Sequence, residues 1–356
     1  MSSVRRNPGA DIIRCLAFFF VVSVHFMLKN GFYNEPNVGL RMYTMTLMRA
    51  LFIICVPLFM TLSGFLLRKK SVCKDYFLRI FKILLTYVLA AVSCLLFSGL
   101  YLQESLSFKT IMAKFLNFTA APYGWYIEMY IGLFLLIPFL NLIYNNLSNK
   151  KQKLLLVIVF VSLTALPSIA NMFYKIVPSW WTKIYPITYY FIGCYIGEYG
   201  LKIKKRFSFP LIFLTVLISG SVAFWKSQGN KFVSGSWCEY DSLFSVILVV
   251  LVFAFFTNVN YDKTPEWIVR FLKTLSGLCL GGYLVSSIFD TLFYPVLNTR
   301  VLSVPYRLEY YILIVPAVYV SSLILSYVLS KIQFGIEFSF VNTIKLFKKK
   351  DNEVQE

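Results

Sequence analysis

Residues 11–28 read DIIRCLAFFFVVSVHFML, an apolar run carrying three ionisable side chains, Asp11, Arg14 and His25. With its flanks the run is long enough for a helix to cross about 30 Å of hydrocarbon. Ionisable groups are costly inside such a span, so each is expected to face the bundle interior and find a partner. At 100° per residue, Arg14 and His25 differ by about 20° and Asp11 falls within about 40° of His25, so all three share one face. Along the axis Arg14 and His25 lie about 16 Å apart. The helix presents an anion binder near its start and an acid–base group near its end. His25 is the single histidine of the chain. Arg5 and Arg6 precede the run as in a secretory signal, but Asp11 and Arg14 interrupt it and no small-residue cleavage site follows; it reads as a retained first helix.

The same kind of block recurs along the 356 residues, which are 58% hydrophobic and only 14% charged, far more apolar than a soluble domain tolerates. Ten blocks stand out: Ile12 to Leu28, Arg49 to Leu67, Ile80 to Leu100, Tyr123 to Tyr144, Leu154 to Phe173, Tyr185 to Gly200, Pro210 to Trp225, Ser242 to Asn258, Thr274 to Leu297, and Leu308 to Leu329. The predicted fold is all-α and integral to the membrane, with about ten transmembrane helices. Residues 1–344 form a single membrane domain, and 345–356 a short tail, basic and then acidic.

Lys and Arg collect on alternate connections, at Arg68-Lys69-Lys70, Lys150-Lys151-Lys153, Lys202-Lys204-Lys205-Arg206 and Lys348-Lys349-Lys350, all on the side of Arg5 and Arg6. By the positive-inside rule that side is cytoplasmic, and both termini with it. The opposite connections are richer in aromatic and turn residues, such as Pro178-Ser179-Trp180-Trp181 and Gly235-Ser236-Trp237. The net charge of +19 is punctuation between apolar blocks and not one contiguous patch, which argues against nucleic acid. The cysteines lie mostly inside the blocks without C-x-x-C spacing, so neither disulfides nor a metal site is expected.

Other spans sort their polar residues by depth in the same way. Arg68 ends the second block at the cytoplasmic side, just after Ser63-Gly64, where a missing side chain allows close packing or ligand approach. Positive-inside bias alone also explains Arg68, and Arg14 could be a snorkelling residue paired with Asp11. Glu128 in the fourth block and Asp290 in the ninth lie at about the depth of His25, and either could orient the imidazole. Lys82 reads as snorkelling. Pro57, Pro138 and Pro316 fall inside spans and are expected to kink them.

Asp11-Ile12-Ile13-Arg14, followed after ten residues by His25, resembles the opening signature of the membrane acyltransferase 3 family, where an arginine and a histidine are spaced in this way on the first helix. Pro57-Leu58-Phe59 with Leu62-Ser63-Gly64-Phe65-Leu66 and Arg68 resembles the family's second-helix segment. Trp125-Tyr126 with Gly132 and Pro138 is similar to the fourth, Gly193 with Tyr195-Ile196-Gly197 to the sixth, and Leu278 to Ser286 to the ninth. One departure is Ser286, which follows Tyr283-Leu284-Val285 where many members have a second histidine.

The resemblance implies a compact cell-membrane enzyme that moves an acyl group, commonly acetyl from acetyl-CoA, onto a hydroxyl of a cell-surface or lipid-linked saccharide; richness in lysine, phenylalanine and isoleucine points to a bacterial source with an A·T-rich genome. No permanently bound cofactor is implied, only acyl-CoA as donor, a saccharide or glycolipid acceptor and membrane lipid as partners. On this reading Arg14 and Arg68, with Asp11 and Ser63 beside them, hold the donor. His25 serves as general base or as a covalent acyl relay, with Glu128 or Asp290 behind it. The alternative is a multi-span transporter or exporter of a glycan or small solute, with His25, Glu128 and Asp290 in a polar path.

Overall fold

The computed structural model describes residues 7–105, 107–201, 203–227 and 229–353, without the side chains of residues 205 and 340–353. Arg5, Arg6 and Lys202 of the basic clusters lie outside the described residues, as do the side chains of Lys205, Lys348, Lys349 and Lys350. In chain order the helices are α1 (Pro8–Lys29), α2 (Gly39–Phe52), α3 (Cys55–Leu67), α4 (Lys74–Phe77), α5 (Ile80–Leu100), α6 (Phe108–Leu116) and α7 (Trp125–Asn145). They continue with α8 (Lys150–Thr164), α9 (Pro167–Ala170), α10 (Tyr185–Tyr199), α11 (Lys205–Ser227), α12 (Leu243–Thr257), α13 (Glu266–Arg300) and α14 (Tyr311–Glu353). No strand forms among the described residues; a single bridge joins Pro36 to Lys231. The expected tail boundary at residue 345 falls inside α14.

Nine helical stretches among the described residues are long and apolar enough to cross a membrane. They account for nine of the ten blocks, with α2 and α3 forming one stretch. The remaining block, from Tyr185, is also a helix, but α10 has only 15 residues and reaches about 22 Å. Pro186 in its first turn and Gly200 at φ 65° bound it. What α10 lacks in length it makes up in closeness to α3. A Cβ on Gly64 would collide with the Tyr190 carbonyl, and one on Gly193 would collide with the Thr61 carbonyl. Each glycine therefore lets the partner backbone in, as in close helix crossings within bilayers. Ser63-Gly64 is thus a packing feature on its glycine side.

Local chemistry sets the ends. The Asn7 side chain accepts the Gly9 N–H at 2.8 Å and Pro8 opens α1, a standard start for a helix. At the other end Asn30 caps α1 and Gly31, at φ 88°, reverses the chain. The α2–α3 stretch breaks at Ile53-Ile54, just before Pro57, which has no N–H to return to the preceding turn. Asn141 of α7 donates to the carbonyls of Leu67 and Lys70 at 2.9 and 2.7 Å, satisfying the end of α3.

α1 is the central helix, packed by α2, α3, α12, α13 and α14. The outer helices carry exposed apolar side chains, among them Leu135, Leu136, Phe139, Leu142 and Ile143 on α7 and Phe209 and Phe213 on α11. Such a surface suits hydrocarbon and not water. The molecule is a multi-pass membrane protein.

Candidate active site

α1 and α13 run side by side in the same direction. The interval from Asp11 to His25 equals that from Ser276 to Asp290, fourteen residues in each helix. Two heptads return a helix to nearly the same face, so one parallel register serves both ends of the pair. At the lower end the Ser276 hydroxyl donates to Asp11 Oδ1 at 2.5 Å. At the upper end Asp290 Oδ2 lies 3.5 Å from His25 Nδ1. Tyr283, one heptad below Asp290, belongs to the same stripe.

Around the upper pair the side chains are closely packed. Asp290 is 1% exposed and His25 8%. The Tyr123 hydroxyl donates to Asp290 Oδ2 at 2.6 Å, and its ring stacks on the imidazole with centroids 3.8 Å apart. Tyr283 donates in turn to the Tyr123 carbonyl at 2.6 Å. Among the described residues His25 Nδ1 and Asp290 Oδ1 have no hydrogen-bond partner. A buried carboxylate facing Nδ1 at this distance is one small movement from an Nδ1–H···O bond, and hydrogen bonds of this kind often tighten only with substrate present. Such a bond would hold the ring in one orientation and leave Nε2 to exchange a proton, the logic of a base oriented by a third group.

At the lower end Arg14 reaches Ser276 Oγ at 3.5 Å and Asp11 at 3.9 Å. Asp11 is 2% exposed and holds the pair in place from behind. Arg14 keeps 27% of its side chain accessible and lines a cavity of about 310 Å³. Ser63 of α3, Tyr126 and Tyr130 of α7, and Gly277 and Tyr283 of α13 complete the polar and narrow parts of its wall. Val21 is the highest wall residue on α1. His25 stands one turn beyond it, with the Tyr283 ring 6.5 Å away, so the tyrosines close the upper end of the cavity beneath the histidine.

Of the residues singled out from sequence, Asp11, Arg14 and Ser63 meet at the lower end, and His25 and Asp290 meet at the upper end. Glu128 does not join them. It is exposed on the first turn of α7, and among the described residues it makes no hydrogen bond to His25 or Asp290. Arg68 lies at the end of α3 but turns toward α10: its guanidinium donates to the Phe65 carbonyl and occupies the space that a side chain at Gly197 would need. It is not part of the cavity wall.

The tyrosines and Ser276 escape a search for charges inside spans. Heptad spacing from Asp290 points to Tyr283 and Ser276, whereas Tyr123 sits in an irregular turn and carries no such signal. Arg49, read only as the edge of a span, is 4% exposed. It donates to the Tyr33 hydroxyl, the Cys238 carbonyl and Glu239 at 2.8, 2.7 and 2.8 Å, pinning α2 to the loop before α12.

Compared with known proteins, the chain finds no match among curated proteins or solved structures. A family model described as an acyltransferase domain matches residues 7–331, which include α1 and its polar stripe and extend into α14. The chain belongs to the acyltransferase 3 family, and is a membrane acyltransferase.

Proposed function

We propose that the protein moves an acyl group, acetyl in the simplest case, from acyl-CoA on the cytoplasmic side to a hydroxyl of a cell-surface or lipid-linked saccharide presented at the opposite face of the cell membrane. The observation that carries this reading is the stacking of two functions along one helix pair. A cavity begins at Arg14 and ends beneath a histidine backed by a buried carboxylate.

Guanidinium matches phosphate in shape and keeps its charge, so Arg14, braced by Asp11 and Ser276, is the donor-phosphate ligand. Arg68, next to the wall residues Leu66 and Leu67, is the second candidate. The pantetheine arm would extend up the cavity past Ser63, Tyr126 and Tyr130. His25 Nε2 would take the proton of the acceptor hydroxyl as its oxygen attacks the thioester carbonyl. The C–S bond then breaks, and the proton passes to the departing thiolate. The apolar and aromatic walls exclude water and so limit hydrolysis of the donor.

Replacing His25 with Ala should leave abundance and membrane insertion unchanged and lower O-acylation of the surface glycan by about 100-fold or more, read by NMR of the purified glycan. Acylation persisting at the parental level would overturn the role given to His25.

A further inference from the structure

A second polar cavity, of about 300 Å³, opens among the connections opposite the basic clusters, between the ends of α8 and α9, the 179–183 segment and the start of α12. Its deeper wall is already satisfied. Ser168 Oγ donates to the Ala165 carbonyl at 2.6 Å and accepts the Leu243 N–H at 2.9 Å. Asn171 Oδ1 accepts the N–H groups of Ile176 and Val177 at 2.8 and 2.9 Å. This wall is a preformed scaffold.

The mouth is different. Asp241, Lys183, Thr182, Ser179 and Ser236 face it, and among the described residues the Ser179 and Ser236 hydroxyls and the Lys183 ammonium make no hydrogen bond to the protein. One carboxylate is too little for a cation site, and one lysine beside that carboxylate is no anion site. Mixed donors and acceptors of both signs suit a neutral, polyhydroxylated ligand. Trp180 and Trp181, 92% and 54% exposed, flank Ser179 and Thr182 in the chain and offer flat apolar faces to the C–H surface of a sugar ring.

From this mouth a run of rings leads to His25. Tyr240, adjacent to Asp241, lies 5.9 Å from Tyr185 and 6.1 Å from Trp125. Trp125 is followed by Tyr126 at 6.3 Å, Tyr283 at 5.6 Å and His25 at 6.5 Å. Trp125, Tyr185 and Tyr240 keep part of their surface accessible.

We propose that the cavity at Asp241 and Lys183 is a distal saccharide subsite, and that the acceptor is consequently an extended chain whose reactive unit reaches His25 while another unit is held here. The inference rests on the acyltransferase reading above and adds length selectivity to it. Several ring-to-ring steps separate the two places, more than a single sugar spans.

The test uses the full chain in lipid nanodiscs with acetyl-CoA. The acceptor is the host's surface polysaccharide, freed of acyl groups by mild base and cut into fragments graded from one repeating unit upward. Transfer should become more efficient with fragment length. Asp241→Asn and Lys183→Ala should each raise KM for the longer fragments about tenfold, and Trp181→Ala should do the same while Trp181→Phe restores the preference. Lys183 is exposed at the rim, so its variant is the least able to disturb folding, and an unchanged melting temperature checks this. Transfer that ignores length, or a length preference that survives in Asp241→Asn and Lys183→Ala, would overturn the subsite and leave the transferase reading intact. Fragments that quench tryptophan fluorescence without being acylated would support the cavity and count against the transferase reading. Neither quenching nor transfer would overturn both.

Discussion

At the scale of single residues, the arrangement that matters is the contact between a histidine and one carboxylate out of two that lie at similar depth in the sequence. Asp290 is buried, holds the Tyr123 hydroxyl at 2.6 Å and stands 3.5 Å from His25 Nδ1. Glu128 is exposed on a different helix. Asp290→Asn preserves shape and the bond from Tyr123 but removes the charged oxygen that faces Nδ1. It should lower kcat for acyl transfer about 100-fold or more with little change in KM for the donor. A variant with the parental kcat would show that the carboxylate does not act through His25. Arg49 teaches a different lesson about buried cations: its three hydrogen bonds go to a phenol, a carbonyl and a carboxylate, which makes it a clamp on the loop before α12. An ionisable residue inside a span is functional by default, yet the partners decide which function.

At the scale of elements, two features organise the bundle. One is the shared fourteen-residue interval on α1 and α13, which lets a single parallel register seat both the Asp11–Ser276 contact and the His25–Asp290 pair. The other is the crossing of α3 with α10 at Gly64 and Gly193, where a Cβ on either would meet the partner's backbone carbonyl. Backbone cannot give way as a flexible side chain can, so Gly64→Ala must push the helices apart. The expected cost is about 1–3 kcal/mol, read as a lower melting temperature and less monodisperse protein in detergent. An unchanged melting temperature would mean the crossing is looser than these contacts imply. The helical blocks themselves were legible from apolar length alone, because in hydrocarbon every backbone N–H and C=O must be paired within the segment. The break at Ile53-Ile54 and the shortness of α10 were less so, since Pro57 and Pro186 mark local geometry but not how far the neighbouring helices will compensate.

At the scale of the whole molecule, Arg68, Lys69, Lys70, Lys150, Lys151 and Lys153 gather at one end and Ser179, Trp180, Trp181 and Ser236 at the other, so donor and acceptor would approach from opposite sides. Cys73 gives a direct check on orientation. It is the one exposed thiol among the described cysteines, in the connection between α3 and α4 that carries Arg68, Lys69 and Lys70. A membrane-impermeant maleimide should label it in inside-out vesicles and not in intact cells, and Cys73→Ser should abolish the label; labelling from outside would reverse the topology expected from the positive-inside rule. What the amino-acid sequence determined by itself is the membrane class, the spacing of the helices and the stripe of Asp11, Arg14 and His25, because helical periodicity and the cost of burying charge in hydrocarbon are local properties of each segment. Only the tertiary structure decided that Asp290 and not Glu128 meets the imidazole, that Arg68 leans on α10, and that Tyr126, Tyr130 and Tyr283 line the cavity below His25. The rotation of one helix about its axis is set by side chains packed against it from far along the chain, and no segment carries that information alone.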